Sequence, residues 1–210
     1  HTDGVTPRAF HTAVKLPSGQ VLFSGGEATE GSPSKMMTVG NSLLFDPAVP
    51  ADPWAPIVTM QRARSRHTAT LEQNGRVLLY GGIEWENDNQ AKFATPFEWF
   101  DSEINRFRLP AVEQGYPTRV GHGALALGGG QFIAVAGGSK LPESSNVAEL
   151  AGADSVRFYQ YSVENDRVQS VGSTLAIEPA RSWAAVAEIG LARFMVLGGF
   201  TGFNASNPAD

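Results

Sequence analysis

Four times along this 210-residue chain an arginine is followed, 17 or 18 residues later, by a glycine pair that closes a short apolar strand. The segments are RAFHTAVKLPSGQVLFSGG from Arg8, RSRHTATLEQNGRVLLYGG from Arg64, RVGHGALALGGGQFIAVAGG from Arg119 and RSWAAVAEIGLARFMVLGG from Arg181. Their first glycines, Gly25, Gly81, Gly137 and Gly198, stand 56, 56 and 61 residues apart. A period of this length means one supersecondary unit in tandem, each copy burying against its neighbour a face that it cannot bury alone.

Inside a unit, His67 to Leu71 and Val77 to Tyr80 are short, β-branched or aromatic runs separated by Asn74-Gly75, a strong hairpin signal. Ser18-Gly19, Gly128-Gly129-Gly130 and Gly190-Leu191 fill the same place in the other copies. Beyond the glycine pair lies a polar stretch and then a second hairpin, in SLLFDPAVPADPWAPIV, FEWFDSEINRFRLP and VRFYQYSVENDRVQSV. That makes four strands per repeat and no helix. Four-stranded sheets recurring at this spacing read as the blades of a β-propeller.

The glycine pair after the second strand, the Phe45-Asp46-Pro47 and Phe100-Asp101 steps in the third and Trp54 in the fourth resemble kelch repeats. The wording RSRHTATL...GRVLLYGG is similar to their bacterial, galactose-oxidase-like branch. The resemblance spans nearly the whole chain and implies an all-β, kelch-type β-propeller, a scaffold that mostly serves as a binding platform and occasionally as an enzyme. It also implies an extracellular or periplasmic protein. The last repeat departs furthest: Ala184 stands where the others have His11, His67 and His122, while Phe107 and Val168 stand where the first has Trp54. The copper-oxidase route implied by that branch uses a tyrosine joined to cysteine, and this sequence has no cysteine.

Strand counting gives one partial propeller domain over residues 1–210, with blades at about 7–60, 63–112 and 118–172 and an incomplete one at 180–201. Three full four-stranded blades and a half blade leave an open ring, and rings close because a bare edge strand invites pairing with another chain. The expectation is a larger ring, its missing blades supplied by the rest of a longer chain or by another subunit. His1-Thr2-Asp3-Gly4 has no basic-then-apolar lead and reads as the interior of something longer.

Composition narrows the partners. A formal charge of −5 gives no general attraction for a phosphate backbone, so nucleic acid is not expected. The longest apolar runs, near Phe132 to Ala136 and Phe194 to Leu197, are far shorter than the ~20 residues of a membrane-spanning helix. No cysteine means no disulfide, thiolate nucleophile or zinc–thiolate site.

The stretches after the glycine pairs, 27–41, 83–96 and 139–154, are long and share a face with the interblade connections, so that face is expected to carry the ligand. Arg8, Arg64, Arg119 and Arg181 begin the innermost strands there. They are candidate ligands for a carboxylate or sulfate through bidentate bonds, or, more simply, fasteners that bond loop carbonyls and acidic neighbours. In GGIEWENDNQAKF, Glu84 and Trp85 resemble an apolar platform with polar fingers for sugar or peptide, and Tyr116 lies in the next long connection. His11, His67 and His122 fall three residues after an arginine. Strand alternation then points them between blades, to hydrogen bonds rather than to a metal. No G-x-S-x-G, H-E-x-x-H, P-loop or Rossmann motif occurs, so no catalytic residue and no cofactor is assigned. The expected function is a binding propeller for a protein or glycan. The alternative is the propeller portion of a carbohydrate-active or oxidase-like enzyme with catalytic residues partly elsewhere.

Overall fold

The computed structural model describes residues 7–30, 35–55, 58–85, 90–112, 118–128, 131–135, 137–138, 153–162, 164–190 and 193–200. Its first unit runs β1 (Thr12–Lys15), β2 (Val21–Ser24), a small separate hairpin of β3 (Glu27–Glu30) and β4 (Lys35–Thr38), then β5 (Asn41–Phe45) and β6 (Val58–Thr59). The main sheet has the order β1-β2-β5-β6. The second unit repeats this with β7 (Thr68–Leu71), β8 (Val77–Tyr80), the small hairpin β9 (Ile83–Trp85) and β10 (Ala91–Phe93), then β11 (Phe97–Asp101) and β12 (Arg106–Arg108). In the third region β13 (Ala111–Val112) precedes β14 (Gly123–Gly128), β15 (Gln131–Val135), β16 (Ala153–Ser162), β17 (Arg167–Ser170) and β18 (Leu175–Arg181). A final hairpin joins β19 (Ala185–Gly190) to β20 (Arg193–Leu197).

The sheets stack face to face as blades. In β8 the run Val77-Leu78-Leu79-Tyr80 is wholly buried because both of its faces are covered. Val77 and Leu79, with Phe100 and Phe107, pack back on Leu22 and Leu44 of the first blade. Leu78 and Tyr80, with Phe97 and Trp99, pack forward on Phe132, Tyr159, Tyr161 and Val168 of the third. Between the third blade and the last hairpin, Val156 meets Phe158, Val186, Phe194 and Val196. The first strands lie side by side in sequence, β1 against β7, β7 against β14 and β14 against β19, so they surround a common axis. This is a β-propeller.

The glycine pairs make close blade stacking possible. Gly25 and Gly81 adopt φ of 61° and 69°. A Cβ on either would collide with the carbonyl oxygen of Arg64 or Arg119 in the following blade. The neighbouring amides use that closeness, Gly26 N–H donating to Arg64 O at 3.0 Å and Gly82 N–H to Arg119 O at 2.8 Å.

Several elements differ from the sequence expectation. The polar stretches at 27–41 and 83–96 are not plain loops but contain the β3–β4 and β9–β10 hairpins, in which cross-strand partners such as Glu30 and Lys35 are opposite in charge. The third stretch lies outside the described residues up to 152. Trp54 precedes β6 and forms an isolated bridge to Phe45, where it packs on the Phe23 and Phe45 rings at 5.8 and 5.1 Å. β13 pairs in parallel with β17, and β18 pairs with the inner half of β16, so the third sheet gains strands on its outer side.

The tight turn between β7 and β8 places Gly75 at φ 82°, with its amide donating to Glu72 O at 3.0 Å. Gly75→Ala forces an L-residue into that left-handed geometry and is expected to lower the unfolding free energy by about 1 kcal/mol. A urea midpoint shifted down at unchanged slope is the readout.

Candidate functional site

Where the chain enters each blade, a bridge pins the residue after the arginine to the segment behind the glycine pair: Ala9 to Glu27, Ser65 to Ile83, Val120 to Gly138 and Ser182 to Phe200. The next residue then turns left-handed every time. Phe10, Arg66, Gly121 and Trp183 have φ of 54°, 57°, 61° and 59°. For three side-chain-bearing residues this conformation is unfavourable and persists only when its surroundings enforce it. Neighbouring blades do so, since Arg66 N–H donates to Phe10 O at 3.0 Å and Trp183 N–H donates to Gly121 O.

The kink turns these side chains toward one another at the mouth of a cavity near the common axis. The Arg66 guanidinium lies 3.9 Å from the centroid of the Phe10 ring and 6.0 Å from that of Trp183. The two rings stand 6.3 Å apart. Gly121 completes the set by its lack of a side chain, because an added Cβ would stand 2.8 Å from Cε2 of the Trp183 indole. Around them is a cavity of about 250 Å³ lined by Phe10, His11, Arg66, His67, Gly121, His122, Trp183 and Ala184. Phe10 is 47% and Trp183 37% exposed, unusual for such large rings in a small cavity.

Behind Arg66 sits Glu27, 3% exposed. Its carboxylate accepts from Arg66 Nε at 3.2 Å and from Arg66 Nη2, from Ser65 Oγ at 3.0 Å and from Trp85 Nε1 at 2.7 Å. One carboxylate thus ties the first blade's β3 to the kink and the β9 hairpin of the second.

His67 and His122 lie between blades, whereas His11, expected there too, is exposed and packs on the Phe23 ring of its own blade at 5.9 Å, with no blade before it among the described residues to reach. His67 Nε2 is 3.1 Å from Thr12 Oγ1, and His122 Nε2 is 2.9 Å from Thr68 Oγ1, each reaching back to the preceding first strand. Burial, reinforced by Arg64 for His67 and by Arg119 for His122, pushes both imidazoles down, His122 to about 3. Both are neutral at physiological pH. Among the described residues, no group of three His, Asp or Glu side chains is placed to hold a metal.

The arginines expected at the mouth hold equivalent posts inside their own blades. Arg8 Nη1 donates to Gly25 O and Asn41 O at 3.1 and 3.0 Å, and Arg64 Nη1 donates to Gly81 O and Thr95 O, both at 3.0 Å. Arg119 donates to Ser155 O and Oγ at 2.7 and 2.6 Å, and Arg181 to Gly198 O at 3.0 Å. Arg64 is fully buried and also pairs with Glu98 at 3.1 Å, both side chains being 0% exposed. None of the four lines the cavity. Trp85 is 6% exposed with its indole N–H spent on Glu27, while Glu84, on the other side of β9, pairs with Lys92 at 3.4 Å. Tyr116 lies outside the described residues.

Sequence reasoning passed over Phe10, Arg66 and Trp183. The signal was in the repeat itself: between a constant arginine and a nearly constant histidine, the third position reads Phe, Arg, Gly and Trp.

The architecture is that of a β-propeller. Among solved structures it is similar to the one titled "Structure of YjhT", with a TM-score of 0.65 and 15% sequence identity over 88% of this chain. The likeness is one of fold, and this chain spans 57% of that chain. No protein-family model and no curated protein matches the sequence. No helix among the described residues is long and apolar enough to cross a membrane.

Proposed function

We propose that this propeller binds a carbohydrate at the mouth formed by Phe10, Arg66 and Trp183, on the face that carries the β3–β4 and β9–β10 hairpins. The observation that carries the reading is the pair of half-exposed aromatic rings facing a cavity of about 250 Å³ with a guanidinium between them. Flat apolar walls suit the C–H face of a pyranose, and fixed N–H donors suit its hydroxyls. The volume matches one sugar ring rather than a peptide segment, which would need a longer groove. Binding is what these groups supply; turnover would require chemistry contributed from elsewhere.

Trp183 also reports on the site, since Trp85 and Trp99 are buried and the half-buried Trp54 packs on Phe23 and Phe45 away from the cavity. Titration with methyl glycosides of glucose, galactose and mannose is expected to change tryptophan emission. Trp183→Ala is expected to weaken binding by about tenfold or more, as for an aromatic anchor at the centre of a site, while leaving the melting temperature within a few degrees. Glycan binding that is indifferent to Trp183 and Phe10 would place the site elsewhere.

A further inference from the structure

Resting on this sugar-binding reading, we infer that Glu27 sets the charge preference of the mouth, holding Arg66 as a neutralised hydrogen-bond donor so that the cavity takes an uncharged polyol and rejects a carboxylate.

Four observations carry the inference. Arg66 is the one residue with a permanent charge among those lining the cavity. Glu27 faces it with both oxygens, Oε2 accepting from Nε at 3.2 Å and Oε1 from Nη2, a fork-to-fork pair with the Arg66 side chain 7% exposed and that of Glu27 2%. Glu27 is further fixed by Ser65 and Trp85, so it cannot swing aside to let an incoming anion replace it. The guanidiniums of Arg8, Arg64 and Arg119 donate to acceptors within their own blades and add no donor to the lining.

A carboxylate entering this cavity therefore meets an ion pair with no net charge, in which Arg66 gains nothing by exchanging Glu27 for the newcomer. A hydroxyl loses little, because Arg66 Nη1 is not engaged by Glu27 and can still donate. The specificity device sits on β3 of the first blade, outside the cavity itself, and acts through Arg66 as a positioning residue.

The test compares methyl β-glucoside with methyl β-glucuronide, which differ only at C6, on the full chain by calorimetry and Trp183 emission. Wild-type protein is expected to prefer the glucoside by about tenfold, with little change from low to physiological salt. Glu27→Gln keeps an acceptor for Trp85 and Ser65 but removes the charge, and is expected to invert the preference by a similar factor and make uronate binding salt-sensitive. Wild-type preference for the uronate, or a Glu27→Gln ratio equal to wild type, overturns the role of Glu27 while the sugar site stands. No binding of either sugar by wild type or by Glu27→Gln defeats the sugar reading and with it the role of Glu27, whereas uronate bound by Glu27→Gln and not by wild type supports exclusion of a carboxylate by Glu27. Should the variant not fold, the wild-type ratio and its salt dependence decide alone.

Discussion

Arg64→Leu is expected to lower the unfolding free energy by about 3–5 kcal/mol, the range for breaking a buried ion pair by removing one partner. The magnitude follows from what is left behind. Glu98 is 0% exposed, and burial already pushes its carboxyl up against the opposing pull of Arg64. Without the guanidinium its Oε2 loses the partner at 3.1 Å, and the carboxylate keeps the backbone amides of Gln61 and Arg62 but no opposite charge. Gly81 O and Thr95 O lose their donor too. These carbonyls lie where the glycine pair meets the start of β11, so the loss loosens the second blade at its contact with the third.

The other arginines provide the control. Arg8 makes the same fork to Gly25 O, Asn41 O and Asn41 Oδ1 but is only half-buried, and Arg181 is exposed enough to donate to Gly198 O from the surface. Their leucine variants are expected to lose about 1–2 and less than about 1 kcal/mol respectively, the scale of hydrogen bonds without an orphaned charge. Replacing Arg64 and Glu98 together with apolar residues should recover much of the single-variant loss. Guanidinium unfolding of the series checks the ranking, and equal losses at Arg64, Arg8 and Arg181 would show that the buried pair has no special weight.

Most of the architecture is legible in the sequence because it is written locally. Asn74-Gly75 specifies a turn, Val77 to Tyr80 is apolar without alternation because both of its faces are covered, and the glycine pairs mark where blades approach too closely for a Cβ. What escapes is set by tertiary context. Counting alternate residues from Arg64 to His67 rightly places the histidine between blades, but it passes through Arg66, whose left-handed backbone redirects the chain. That kink, and not the arginine before it, delivers side chains to the mouth. Trp85 reads as a platform from its own loop, yet its indole is claimed by Glu27, 58 residues earlier. Glu27 and Glu30 look alike in EATE, but one is buried at the junction of two blades and the other is exposed.

Glu72→Leu is expected to stabilise the protein by about 2 kcal/mol at pH 8 and by much less at pH 5. In the column of the repeat that reads Leu16, Glu72, Leu127 and Ile189, this carboxylate takes an apolar post at the end of β7. It is 3% exposed, and neither oxygen has a hydrogen-bond partner among the described residues. Burial pushes the carboxyl up to about 7, above the ~4.3 of an unfolded glutamate. Between those values the folded protein holds a proton that the unfolded chain has released, so stability falls as pH rises through the window. Below the unfolded value both states are protonated and the penalty vanishes; above about 7 it is fully present. After allowance for partial screening, that penalty is about 2 kcal/mol. Leucine removes it, and Glu72→Gln should remove the pH dependence while leaving an unsatisfied amide, which separates charge from polarity. Unfolding of wild type and both variants at pH 5 and 8 reads the difference. A leucine advantage of the same size at the two pH values would show that Glu72 is not taken up as a buried, proton-binding carboxyl.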